Sequence, residues 1–121
     1  MNFNVVFHVD LNDPKRLNLA FDNVANYMAF LDETPGGSAA SLVMLGNGPV
    51  VNLFAKRPEN ADLEARGRQL MENGLSIRLC SNALRKFEIS PEQVWEGCTV
   101  VPAGIPELVK LQNEGYCYLK P

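Results

Sequence analysis

The chain has 121 residues, 46% of them hydrophobic, which is enough for one domain with a substantial core. The formal net charge of −3 and the scattered Lys and Arg residues argue against a nucleic-acid-binding protein. No apolar stretch reaches the length of a membrane span, and the N-terminal residues lack the pattern of a signal peptide, so we expect no membrane partner.

Cysteine and histidine content restricts the kinds of site that this chain can carry. Cys80, Cys98 and Cys117 form no CxxC motif, and their odd number favours reduced thiols in the cytoplasm over a disulfide framework. His8 is the only histidine, so an imidazole-rich metal site is not expected. We therefore predict a cytoplasmic protein that needs neither a metal nor a cofactor.

The chain opens with a predicted strand and a predicted long helix. The run Phe3–Val9 is rich in β-branched and aromatic residues, which predicts a buried strand. Asp13 and Pro14 are residue types typical of an N-cap and of the first helical position. The apolar residues that follow at helical spacing, and that predict an amphipathic helix, are Leu17, Phe21, Val24, Met28 and Leu31.

The next segment repeats this order after a loop. Residues 41–45 predict the second strand, and the Gly-Asn-Gly-Pro sequence at 46–49 ends it. The run 50–56 suits a strand or a short helix, and we favour a helical turn because a glycine-rich break precedes it. Apolar spacing over 63–71 predicts a helix that the Asn-Gly pair at 73–74 ends.

Three further strands are predicted in the second half, at Leu75–Cys80, Cys98–Val101 and Tyr116–Leu119. Ser90–Gln93 has the form of a capping box with proline at the first helical position, and Pro106 begins a helix that Gly115 ends. Alternating strands and helices with short connections predict a single α/β domain over residues 1–121. Its parallel sheet is expected to have helices on both faces.

In such a sheet, sites form beyond the carboxyl ends of the strands. The residues predicted at that edge are His8, Asp10, Gly46, Asn47, Gly48, Cys80, Ser81, Asn82, Pro102, Ala103 and Gly104. The Gly46–Gly48 turn offers backbone N–H groups to an anion, although a tight turn that needs positive φ explains the same residues. His8 is either part of the site or a hydrogen-bonded structural residue.

Cys80 is the cysteine with physical reasons to be reactive. It precedes a predicted helix that Ser81 or Asn82 is expected to cap, and the helix N-terminus favours a thiolate. Arg85 and Lys86 add positive charge one turn further on. The alternative is a buried and inert cysteine at a turn.

Other side chains favour structural roles. Cys117 lies within a short predicted strand and is expected to point into the core, and Cys98 begins a strand at the edge opposite Cys80. Three aromatic residues lie in short or irregular segments and are either interface anchors or core, namely Phe54, Phe87 and Trp95.

Three segments together resemble the DsrE/DsrF-like family of small sulfur-relay proteins, which includes the TusD-type subunits. They are "VVFHVD" before the long helix, "GLSIRLCSNALRK", and "VVPAGIPELVKLQNEGYCYLKP" at the C-terminal end. The chain looks closer to the stand-alone members, because "SNALRKFEIS" after Cys80 is not the small-residue run of the relay subunits. The resemblance implies a three-layer α/β/α domain with a five-stranded, mainly parallel sheet. It also implies homo-oligomers, often trimers or hexamers.

Relay members of this family carry sulfur as a persulfide on a strand-end cysteine in a C-x-x-A turn, and Cys80 in "CSNA" matches that position. The leading hypothesis is therefore a sulfur carrier or sulfurtransferase that receives sulfur from a donor protein and passes it to an acceptor thiol. Cys80 is the candidate catalytic residue, with Arg78 or Arg85 as a source of positive charge. The candidate ligand-binding residues are His8, Gly46, Asn47, Gly48, Ser81, Asn82 and Gly104.

Two other functions stay open from the sequence. One is a non-catalytic module that binds a small anionic ligand at the same strand-end cleft or serves oligomeric assembly, in which case Cys80 is dispensable. The other is a redox sensor in which Cys80 pairs with a second cysteine. The reactivity of the three thiols distinguishes these functions.

Overall fold

The chain is described from a computed structural model that covers residues 1–121. The strands are β1 (Val5–Val9), β2 (Leu42–Gly46), β3 (Leu75–Cys80), β4 (Thr99–Val101) and β5 (Cys117–Leu119). The α-helices are α1 (Pro14–Asp32), α2 (Ala61–Glu72), α3 (Ser81–Lys86) and α4 (Gly104–Asn113). Short 3₁₀ helices occupy Gly37–Ala39, Gly48–Phe54, Pro58–Asn60 and Pro91–Gln93. None of the helices combines the length and hydropathy that a bilayer span requires.

The five strands form one parallel sheet in the order β4-β3-β2-β1-β5. This confirms the predicted α/β fold. The chain adds strands outward from β1 to β4, and it then returns so that β5 pairs with the free side of β1. The two edge strands, β4 and β5, are each three residues long.

Local sequence signals explain where the first helices begin. The Asp13 side chain accepts a hydrogen bond from the Lys15 N–H at 3.0 Å, and Pro14 is the first residue of α1, as predicted. The segment after β2 is the 3₁₀ helix Gly48–Phe54, which confirms the helical turn. Gly48 begins it with φ of +70°, a conformation that glycine adopts without strain.

The capping box at Ser90 begins only a single 3₁₀ turn rather than a longer helix. The Gln93 side chain accepts a hydrogen bond from the Ser90 N–H at 2.8 Å, but Val94 is already extended, with ψ of 161°. The Trp95 N–H then donates to the Phe54 carbonyl at 2.9 Å. The extended residue Val94 ends the helical turn, and Trp95, which follows it, is buried in the core.

The main core lies between the sheet and a layer formed by α1, α2, α3 and the 3₁₀ helix after β2. Trp95 and Phe54 lie inside it, 1% and 0% exposed, with ring centroids 4.7 Å apart. A Cβ on Gly67 would lie 2.5 Å from the indole Cζ3, so α2 contacts this ring directly. Phe87 is partly buried against the same core. Phe54 and Trp95 are therefore core residues, and the interface role stays a prediction for Phe87.

The opposite face of the sheet is covered by α4 alone. A small cluster forms there, in which Leu108 and Leu111 of α4 pack on Val6, Val43 and Leu45. Helices thus lie on both faces, which completes the three-layer α/β/α arrangement that the resemblance implies. The two helical layers differ greatly in extent.

Cys117 does not point into the core, so that prediction is wrong. Its side chain is exposed, as are those of the other two residues of β5. The reason is the strand order, which places β5 at an edge where no helix covers it. Cys98 lies just before β4 and is partly buried, at the opposite end of the strands from Cys80.

Candidate functional site

Four consecutive strands contribute side chains to a row at the carboxyl edge of the sheet, on the face that α4 covers. In spatial order these are Tyr118 of β5, His8 of β1, Asn47 after β2 and Cys80 of β3. The register explains the row, because Gly46 pairs with Leu79 and the next residues of both strands are Asn47 and Cys80. Side chains alternate between faces along a strand, so His8 lies on the same side as Val6.

Hydrogen bonds connect the first three members of this row. The Tyr118 hydroxyl lies 2.6 Å from His8 Nδ1, and His8 Nε2 lies 2.6 Å from Asn47 Oδ1. His8 is only 8% exposed, so these contacts provide its hydrogen bonds in the absence of bulk water. A carboxamide oxygen can only accept, and therefore Nε2 carries a proton. In the neutral imidazole, Nδ1 then accepts from the tyrosine hydroxyl.

Cys80 occupies the N-cap position of α3 and is 6% exposed. The predicted cap by Ser81 or Asn82 is wrong, because Ser81 is already the first helical residue and no side chain caps the helix. The Asn82 side chain instead accepts a hydrogen bond from Arg85. The short turn from β3 into α3 places the sulfur at the N-cap, with the backbone N–H groups of the first turn free of side-chain caps.

Gly104 brings the start of α4 against this row. A Cβ at that position would lie 3.0 Å from Asn47 Cβ and 3.4 Å from Cys80 Cβ. Any larger residue would press on Asn47, so glycine permits the close approach. Three of the predicted site residues, from three different elements, are therefore in direct proximity.

A cleft of ≈ 380 Å³ opens beside Cys80. It is lined by Asn47, Gly48, Cys80, Asn82, Ala83, Lys86, Ala103, Gly104, Ile105 and Pro106. Lys86 is the charged side chain of this lining. The cleft therefore combines a thiol, two carboxamides and one cation.

Three predicted ligand-binding residues do not line the cleft. His8 lies behind Asn47 and reaches the cleft only through that residue. Gly46 faces the main core, because a Cβ on it would lie 3.1 Å from a Leu79 methyl group. Ser81 belongs to the first turn of α3 but is not part of the lining.

The two arginines considered as sources of positive charge are otherwise engaged. Arg78 forms an ion pair with Glu107 of α4 at 2.8 Å. Arg85 donates to the Asn82 side chain. Neither lines the cleft, whereas Lys86 does.

The other two cysteines lie in different environments. Burial raises the pKa of the Cys98 thiol to about 12, with a further contribution from the charge of Glu64. Cys98 is therefore protonated at neutral pH. Cys117 is exposed on the edge strand, and all three cysteines are free thiols.

A second depression, of ≈ 470 Å³, lies between α1 and the C-terminal residues. It is lined by Phe7, Asn23, Asn26, Tyr27, Phe30, Leu119, Lys120 and Pro121. It contains no member of the row that includes Cys80 and no nucleophilic thiol. The chemical groups that the sequence selected converge on the Cys80 cleft instead.

Tyr118 is the member of the row that the sequence analysis did not select. Its signal is weak, because a tyrosine in a short C-terminal strand is an ordinary apolar residue until the strand order is known. The pairing of Tyr118 with Val6 places it on the His8 side of the sheet. Only the return of β5 to β1 reveals that contact.

The family model of the DsrE/DsrF-like family matches residues 3–121. A solved structure, the protein of unknown function MTH1491 from Methanobacterium thermoautotrophicum, is similar with a TM-score of 0.87 and 30% sequence identity. That match covers 99% of this chain and 100% of the other. Among curated proteins, no sequence matches. Because the family model spans nearly the whole sequence, this chain belongs to the DsrE/DsrF-like family.

Proposed function

We propose that this protein is a cytoplasmic sulfur carrier that holds a sulfane sulfur as a persulfide on Cys80. The observation that carries the proposal is the position of Cys80, at the carboxyl edge of the sheet in a cleft with Asn47 and Lys86. The family is generally linked to sulfur relay, which supports the same chemistry. The three free cysteines suit a reducing compartment.

The transfer step needs only a thiolate and a persulfide donor. The Cys80 thiolate attacks the outer sulfur of a donor persulfide, R–S–SH. A new S–S bond forms at Cys80 while the bond to the donor sulfur breaks, and the donor leaves as R–S⁻. The outer sulfur keeps its proton or releases it to solvent, so no external oxidant or reductant enters the balance.

Lys86 and the uncapped first turn of α3 supply the electrostatic part of the proposal. A persulfide is anionic on its outer sulfur, and Lys86 places a positive charge in the same cleft. The first-turn N–H groups of α3 have no side-chain cap. A cation and unpaired N–H donors can both pair with the anionic outer sulfur of a persulfide.

The other cysteines are poor candidates for the same role. Burial keeps Cys98 protonated, with its pKa raised to about 12, and a protonated thiol is a weak nucleophile. Cys117 is exposed on an edge strand. Its accessibility means that labelling experiments require a Cys117→Ser background, because an exposed thiol reacts whether or not it has a function.

The test is intact-protein mass spectrometry after incubation with a cysteine desulfurase and cysteine. In a Cys117→Ser background the protein is expected to gain one sulfur atom that a reductant removes, and the further change Cys80→Ser is expected to abolish the gain. Cys98→Ser in the same background is the matched control and is expected to leave the gain unchanged. Absence of the gain, under conditions that load a known carrier, would contradict the proposal.

The alternative function is a module that binds a small anionic ligand without covalent chemistry. The 6% exposure of Cys80 favours it, because a buried sulfur is less accessible to a partner protein. In that case Cys80→Ser retains function, and substitution of Lys86 abolishes ligand binding. The mass-spectrometric experiment distinguishes the two, because only the carrier retains sulfur covalently.

Homo-oligomer formation remains a prediction from the resemblance. Several large apolar side chains are exposed and available for contacts between copies, namely Leu11, Leu19, Phe30, Ile105, Val109, Tyr118 and Leu119. Sedimentation equilibrium is the direct measurement. A trimer or hexamer would agree with the resemblance, and a monomer at micromolar concentration would contradict it.

A further inference from the structure

We propose that Tyr118 is a positioning residue that acts through His8 to orient the Asn47 carboxamide, so that Asn47 donates a hydrogen bond to the sulfur anion at Cys80. The inference rests on the proposed function for its biological meaning. Its physical content concerns the Cys80 thiolate as well as the persulfide. It is therefore measurable without sulfur transfer.

The first step is the direction of the hydrogen bonds. His8 Nε2 contacts the carboxamide oxygen of Asn47 at 2.6 Å, so the proton lies on Nε2. Tyr118 Oη contacts Nδ1 at 2.6 Å, and its O–H donates to the unprotonated nitrogen. The tyrosine hydroxyl thus favours one neutral tautomer of the imidazole, which in turn occupies the oxygen of Asn47.

The second step is the orientation of Asn47. Its Oδ1 points toward His8 on β1, and the Nδ2 group is the other branch of the same planar amide. In the sheet, β3 lies on the opposite side of β2 from β1, and Cys80 is the residue at that position. Nδ2 makes no hydrogen bond within the chain, and Asn47 lines the Cys80 cleft. The remaining donor of the amide therefore has no partner in the chain, and Cys80 lines the same cleft.

The third step concerns the flipped orientation of the Asn47 amide, which is unfavourable. If the amide rotated by half a turn, Oδ1 would face the sulfur anion and the interaction would become repulsive. Rotation would also place an N–H against the protonated Nε2 of His8. Gly104 lies close to the amide, because a Cβ added at Gly104 would lie 3.6 Å from Asn47 Cγ. The tautomer of His8 therefore determines whether Asn47 offers a donor or an acceptor.

His8 is the only histidine, so its ring gives the only imidazole nitrogen signals in ¹⁵N-labelled protein. Wild type is expected to show a protonated Nε2 and an unprotonated Nδ1. Tyr118→Phe removes the hydroxyl that favours this form, and the signals are expected to shift toward a mixture of tautomers. Tyr116→Phe is the matched control, because Tyr116 Oη contacts Ser41 Oγ at 2.7 Å and not His8.

The effect on sulfur is measured as the rate of Cys80 alkylation by iodoacetamide at pH 7, in a Cys117→Ser background. Loss of a hydrogen bond to an anion in Asn47→Ala is expected to slow alkylation about tenfold. Tyr118→Phe leaves the donor in place but less well oriented, and is expected to slow it about threefold. In the double variant, Tyr118→Phe is expected to add nothing, because it acts through Asn47.

Several results would overturn the inference. They are a wild-type His8 with its proton on Nδ1, identical ring signals in Tyr118→Phe and wild type, or an undiminished Tyr118→Phe effect in the absence of Asn47. If alkylation and ring signals follow the expectation while the protein never gains sulfur, the carrier function fails and the positioning role of Tyr118 stands. Failure of the carrier function is thus distinguishable from failure of the positioning role.

Discussion

The two faces of the sheet are built differently. The face toward α1 and α2 carries a large apolar core with Phe54 and Trp95 fully buried. The face toward α4 has five apolar residues in its cluster, and its carboxyl edge carries the polar row from Tyr118 to Cys80. One helical layer provides most of the hydrophobic stabilisation, and the sparsely covered face has room for polar groups and a cleft. Substitutions on the two faces should therefore affect different properties.

The largest expected effect is on the face toward α1 and α2. Trp95→Ala removes a ring that contacts Phe54 and Gly67, and we expect a loss of about 3–5 kcal/mol in the free energy of unfolding. Urea unfolding measures it. The indole Nε1 has no hydrogen-bond partner, so Trp95→Phe should cost much less than Trp95→Ala. Equal losses for both variants would contradict the assignment of this ring to a packed core.

A smaller loss is expected on the face that α4 covers. Leu108→Ala should cost about 2 kcal/mol, at the lower end for a buried leucine, because its cluster has only five residues. The neighbouring Val109→Ala is the control, since Val109 is 54% exposed. A Leu108→Ala loss as large as that of Trp95→Ala would remove the difference between the two faces. Urea unfolding under the same conditions provides the comparison.

The elements of both faces were largely predictable from the sequence. The bounds of β3 match the prediction residue for residue, and the cap at Asp13 forms as expected. Asn47, Cys80 and Gly104 were selected together because the carboxyl ends of parallel strands share one edge. That rule requires only that the strands be parallel, and the alternation of strands and helices in the chain predicts that.

The wrong prediction for Cys117 and the omission of Tyr118 have a common physical cause, which is strand order. Hydrophobic pattern identifies a strand but not its neighbours, and β5 could pair at either edge of the sheet. Its position beside β1 exposes Cys117, which was expected in the core, and brings Tyr118 to His8. The ion pair of Arg78 was missed for a related reason, because its partner Glu107 comes from a distant part of the chain.

A substitution of Gly104, where α4 meets the Cys80 cleft, should change the site more than the free energy of unfolding. In Gly104→Ala the new Cβ would meet Asn47 Cβ at 3.0 Å, and we expect a loss of about 1 kcal/mol in the free energy of unfolding. The displaced Asn47 should also change the His8 ring signals in ¹⁵N NMR. Ile105→Ala, at the next and exposed position of α4, is the control and should leave those signals unchanged.

The smallest expected effect concerns Cys98, at the end of the strands opposite Cys80. Burial raises the pKa of its thiol to about 12 in the folded protein, whereas in the unfolded chain the pKa is near the usual value of 9.0. The unfolded state therefore binds fewer protons in this window, and stability falls as pH rises from 9 toward 12. At pH 9.5 the contribution amounts to less than about 1 kcal/mol.

Other groups titrate in the same range, so the measurement is the difference between wild type and Cys98→Ala in urea unfolding at pH 7.5 and at pH 9.5. We expect wild type to lose more stability than the variant over this interval. An equal loss would mean that Cys98 is not held in its protonated form.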